Sequence, residues 1–160
     1  MKWSVPERAF GNISADRATR TAIWCARKAL NHLVRRHRQM LLARFHHACA
    51  EAVKLLERNE AVATRNKRTY EAALDRLGRE VPHVRFKNGK PIDPDAALAA
   101  NHTIDSLEYA LKCIFIPAET NDNAYEACDF AYRAVDVLGD EDAKREMQDR
   151  IESSLAGRHK

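Results

Sequence analysis

The chain has 160 residues, 45% of them hydrophobic and 31% charged, a globular rather than disordered balance and enough length to bury a core without disulfides or metals. Only 5 Gly and 5 Pro occur and Ala is abundant, so helix is favoured over strand, and no stretch approaches the apolar length of a membrane span. Charge is divided along the chain: residues 1–90 carry 20 Lys and Arg against 8 Asp and Glu, whereas residues 91–160 carry 7 against 15.

At the N-terminus, residues 1–8 (MKWSVPER) lack the apolar centre of a secretory signal, so the expected compartment is the cytoplasm. Residues 1–13 read as an extension. Ser14 can cap a helix whose first turn holds Asp16 and Arg17. From there apolar residues recur every three or four positions: Ala18, Ala22, Ala26, Ala29/Leu30, Leu33, then Met40/Leu41, Phe45, Ala48, Ala52 and Leu55/Leu56. As one rod that stretch would run about 70 Å, roughly twice the breadth of a compact domain of this size. Either it breaks, at Arg35-Arg36-His37-Arg38-Gln39 where the rhythm lapses or next best at Asn31-His32, or it projects and pairs with a second copy as a homodimer. A second break is expected over residues 57–68, polar almost throughout, after which helix resumes near Thr69 and stops at Gly78.

Residues 80–95 differ in kind. Val84-Arg85-Phe86-Lys87 alternates, Asn88-Gly89 signals a tight hairpin turn, and Pro91 confines the return strand to an edge. A short hairpin or loop is expected near residues 83–92. Three helices should follow. The first runs from Pro94/Asp95 to Ile116 with Ala100, Ile104, Leu107, Leu111, Ile114 and Phe115 on its face. The second runs from Asn121 to Gly139 with Ala124, Ala127, Cys128, Ala131, Val135 and Leu138 inward, small enough to let a neighbour approach closely. The third is capped by Asp140, with Glu141 and Asp142 at its positive end, and stops at Gly157. The expected fold is an all-α single-domain bundle of about five to six helices, spanning residues 14–157. Its basic half is 14–90 and its acidic half 91–157, with a tail at 158–160.

Chemistry is sparse in this pattern. Cys25, Cys49, Cys113 and Cys128 read as free thiols buried as small hydrophobes. His46 with Cys49, and His102 with Asp105, are spaced to share a helix turn, but neither has a partner pair elsewhere, and no metal is assigned to them. There is no G-x-S-x-G elbow and no Gly-rich phosphate loop, so no catalytic residue is assigned.

Asp105-Ser-Leu-Glu108 and Glu126-Ala-Cys-Asp129 are pairs of acids three apart, each pair on one helix face. This resembles the all-α nucleotide pyrophosphatases of the MazG type, whose E-x-x-E and E-x-x-D pairs bind Mg²⁺ and a nucleoside triphosphate. The resemblance covers about 25 residues and has Asp105 where the family has Glu. It implies Asp105, Glu108, Glu126 and Asp129 as Mg²⁺ ligands. The helical angle of Glu126 and Asp129 instead points them to solvent beside Arg133 and Asp136, unless a second helix covers that side at Phe130 and Val137.

The basic half offers Arg17, Arg20, Arg27, Lys28, Arg35, Arg36, Arg38 and Arg44 as a candidate binding surface. Of these, Arg17, Arg20, Arg27/Lys28 and Arg35 recur at near-heptad spacing, a stripe able to track phosphates. No Gly-marked helix-turn-helix, zinc finger or RNA-recognition motif accompanies it. The alternative is that these cations meet acids of the last three helices. Together these readings point to a non-catalytic cytoplasmic helical protein that recognises another protein, of inhibitor, immunity or adaptor type, with Trp24, Phe45, Tyr125 and Tyr132 as aromatic anchors. A nucleic-acid-binding protein and the Mg²⁺-dependent pyrophosphatase are the alternatives; a membrane partner is not expected.

Overall fold

The computed structural model describes residues 2–58, 67–79 and 84–157. They form six α-helices: α1 (Ala15–His37), α2 (Ala43–Arg58), α3 (Lys67–Arg79), α4 (Pro94–Phe115), α5 (Thr120–Leu138) and α6 (Glu141–Leu155). The one sheet is a hairpin of two-residue strands, β1 (Phe86–Lys87) and β2 (Lys90–Pro91), in which Phe86 pairs with Pro91 and Lys87 with Lys90. The all-α bundle with one β excursion is therefore as the sequence predicts.

α1, α4 and α5 pack closely against one another and form the centre of the bundle. Alanines make this possible. Ala18, Ala22, Ala26 and Ala29 of α1 and Ala124, Ala127, Ala131 and Ala134 of α5 are all essentially without exposure, and side chains this small let the packed helices come near each other. Ser106 Oγ donates to the Ala127 carbonyl at 2.7 Å, and Thr120 Oγ1 to that of Cys113 at 2.9 Å, which closes the α4–α5 pair at both its middle and its turn. α6 lies against α1 and α5, while α2 and α3 pair with each other and rest on α4. Residues 2–13, read from sequence as an extension, contribute to the core: Val5 and Phe10 are buried, and Asn121 Nδ2 donates to the carbonyls of Phe10 and Ile13 at 2.6 and 2.9 Å.

The long amphipathic stretch breaks at the first of the two expected places. Ser14 Oγ caps α1 by accepting from the Arg17 amide at 3.1 Å, and α1 ends at His37. A 3-10 turn follows over Arg38–Met40, and Leu41 then adopts extended backbone and bridges to Val84. Both partners of that bridge are buried, so Leu41 turns inward rather than extending the rod. The second break lies between Arg58 and Lys67; most of it falls outside the described residues.

α3 departs from expectation at its end. Gly78 does not take the left-handed conformation; it is helical and α3 continues to Arg79. Left-handed backbone appears instead at Gly139, which ends α5, and at Asn88 (φ 52°) with Gly89 (φ 76°), as a primed hairpin turn requires.

Candidate functional site

The basic end of the molecule is assembled from two segments far apart in sequence. Arg35, Arg36 and His37 occupy the last turn of α1, where cations favour the negative end of the helix dipole, and Arg38 opens the 3-10 turn beyond it. The hairpin docks beside them. The Arg85 amide donates to the Met40 carbonyl at 2.8 Å next to the Leu41–Val84 bridge, and the Ile92 amide returns to the Arg85 carbonyl at 3.0 Å. Two strands of two residues are too short to carry an inner face, and Arg85, Lys87 and Lys90 are all exposed.

A cleft of about 350 Å³ opens here, lined by Arg35–Met40 and Asp93, in which His37 Nδ1 stands 3.6 Å from Asp93 Oδ2. A second, of about 320 Å³, lies on the other side of Arg35 and Arg36 between His32, Leu138 and Asp140. Asp140 caps α6 by accepting from the Ala143 amide at 3.0 Å and sits 2.9 Å from His32 Nδ1. The Ala143 N–H, with His32 and Arg36 nearby, holds its carboxyl below the usual range. Arg35, Arg38, Arg85, Lys87 and Lys90 form no ion pair among the described residues. Three large apolar side chains in the same segment stand in solvent, Phe86 at 44%, Ile92 at 48% and Leu98 at 45% exposure.

Elsewhere the proposed cations are already engaged. Arg20 pairs with Asp16 at 3.0 Å and Arg27 with Glu57 at 3.2 Å, both within the basic half, so the near-heptad stripe is largely neutralised locally. Lys28 pairs with Glu146 of α6, and Lys2 with Asp136 at 2.6 Å. Attraction between the halves is therefore carried by lysines and histidines more than by arginines. Arg17 lies over the end of α6, where a Cβ on Gly157 would be 3.2 Å from its Nη1. Arg44 is exposed on α2.

Of the four aromatic residues expected as anchors, two are buried and two, Trp24 and Tyr125, are half-buried. Phe45 is wholly buried and Tyr132 nearly so, its ring 4.8 Å from that of Trp3. Trp24 is capped on its faces by Lys28 and Arg150, and Tyr125 packs edge-on to Phe10. Helical phase turns Phe45 and Tyr132 inward. Phe86 is the aromatic left outside, and its signal in sequence was the alternation of Arg85-Phe86-Lys87 in a hairpin too small to have an inner face.

The four acids of the E-x-x-D and D-x-x-E pairs are half-buried rather than solvated, Asp129 exposing only 15% of its side chain. α4 packs over the α5 pair: Tyr109 stacks on Phe130 at 5.8 Å with rings 9° apart, Lys112 sits over Tyr109 and Arg133 over Phe130. Burial pushes Asp105, Glu108 and Glu126 above the usual carboxyl range, and Asp105 raises Glu108 further. Asp129 is paired with Arg133 at 2.9 Å. Among the described residues no three His, Cys, Asp or Glu side chains gather closely enough to hold a metal ion. His46 and Cys49 line the groove between α1 and α2, and His102 rests 5.9 Å from the Phe130 ring.

All four cysteines are free and buried, and burial pushes the Cys49 and Cys113 thiols up to about 12. At neutral pH those two are protonated and unreactive. No described helix is long and apolar enough to cross a membrane. No protein-family model, curated protein or solved structure matches this chain.

Proposed function

We propose that this chain is a non-catalytic helical binding protein, of inhibitor, immunity or adaptor type, that recognises an acidic surface on another protein through the end built by α1 and the hairpin. The observation that carries this reading is the placement of Phe86 and Ile92, exposed, in the hairpin segment beside Arg85, Lys87 and Lys90, cations that lack acidic partners among the described residues. An apolar centre with an arginine-rich rim is the anatomy of a protein interface, and its charge calls for an acidic partner. The proposed compartment is the cytoplasm, which four unpaired thiols suit. Nucleic acid is the second reading, favoured by the same cations with Phe86 as a stacking face.

Fluorescence anisotropy with a peptide alternating Glu and Leu, and with a mixed-sequence DNA duplex, separates the two at low and high salt. Phe86→Ser should weaken peptide binding about tenfold or more, as loss of an aromatic anchor does. Arg35→Glu should weaken it further. Tighter binding of the duplex than of the peptide, with a steep salt slope, would transfer the surface to nucleic acid.

A further inference from the structure

A second concave site lies away from the hairpin, between α2 and α3. On α2, Arg44, His47, Glu51 and Lys54 follow one another at steps of three and four, so they form a single stripe flanking the buried stripe of Phe45, Ala48, Ala52 and Leu55. Across from them stands Arg76 of α3. Together they line a cleft of about 510 Å³ floored by Ala48, a volume in the range of small-molecule sites.

Its electrostatics are one-sided. Among the described residues Glu51 is the one carboxylate lining the cleft, and it is consumed: Arg76 Nε donates to Oε1 and Nη2 to Oε2, both at 2.6 Å. This two-pronged pair cancels one negative and one positive charge, fixes the guanidinium plane, and still leaves N–H donors free on Arg76. Lys54 has no ion pair among the described residues, and His47 is exposed at the rim. Among the described residues no exposed large apolar side chain lines the cleft, unlike at the hairpin end, so they offer none of the anchors that a protein partner would need.

We infer that the α2–α3 cleft binds a small anion bearing phosphate groups, with Lys54 and His47 on one wall and the oriented Arg76 on the other. A group with several charged oxygens facing different ways suits cations that approach from both walls, whereas a lone carboxylate presents two oxygens in one plane.

The test is a ¹⁵N–¹H NMR titration of the full chain with sodium pyrophosphate, matched in ionic strength by sodium chloride, with calorimetry for affinity. Saturable shifts of the amides of residues 44–54 and of Arg76, absent with chloride, are expected. Lys54→Gln should weaken binding about tenfold, the scale of one charge-assisted hydrogen bond. Glu51→Gln should strengthen it by a similar factor, because it releases Arg76 and removes the one lining carboxylate. Phe86→Ser should leave pyrophosphate binding unchanged; melting curves confirm that each variant folds. Shifts confined to residues 35–40 and 85–90, equal effects of chloride and pyrophosphate, or an affinity unmoved by Lys54→Gln would overturn the assignment. A DNA duplex that shifts the same amides more strongly than pyrophosphate would overturn it in favour of a nucleic-acid backbone.

Discussion

Glu108 shows how position in the fold sets the sign of a side chain's contribution. Burial and the nearby Asp105 raise its carboxyl, with Lys112 opposing. A carboxyl raised in the folded state binds its proton more tightly there than in the unfolded chain, so its contribution to stability is lost as pH rises through the folded value. Glu108→Gln should therefore raise the melting temperature at neutral pH, and the gain should vanish at a pH below the unfolded carboxyl range. A scan of melting temperature against pH checks this; a lower melting temperature at neutral pH would show that Glu108 holds an attractive partner. Asp136 and Glu146 act in the opposite sense. Hydrogen bonds from Lys144 and Lys2 lower the first and one from Lys28 the second, so what they contribute is present at neutral pH and lost in acid. The helical rhythm assigned the aromatic residues to elements, but it did not tell which would be left outside, because that depends on which neighbour covers each face.

Among the elements, Gly139 and Gly78 make contrasting predictions. Gly139 ends α5 at φ 70°, and nothing lies within 4 Å of where its Cβ would be, so the strain of a side chain there is purely that of the backbone. Gly139→Ala should cost about 1–2 kcal/mol. Gly78 is helical, and its Cβ would meet only Glu108 Oε1 at 4.0 Å. Gly78→Ala should stabilise by about 0.5–1 kcal/mol. Urea unfolding of both variants measures the difference, and equal shifts would mean that the two backbones are alike. Most of this layer was readable beforehand: Ser14 and Asp140 as caps, Asn88-Gly89 as the turn, and the lapse after Leu33 as the end of α1. Gly78 departs from the expectation because glycine permits left-handed backbone without requiring it.

For the whole molecule, the break over Arg38–Met40 removes the projecting rod that would have required a second copy to cover it. Multi-angle light scattering should return a single species near 18.2 kDa. A species of twice that mass would mean that the exposed Phe86, Ile92 and Leu98 meet their own copies rather than an acidic partner. The division of charge is also resolved at this scale. Part of it, through Lys28–Glu146, His32–Asp140 and Lys2–Asp136, joins the halves; the rest gathers where α1 ends and the hairpin docks.

Periodicity, caps and turn residues are local, and a single chain segment carries all the information they need; for that reason the sequence alone determined the helix count, the hairpin and the inward stripes. Convergence is not local. That Arg85 would bond beside Met40, that Tyr109 would stack on Phe130 of α5, and that Arg76 would cancel Glu51 depend on how six helices share one core, and only the tertiary structure decided them.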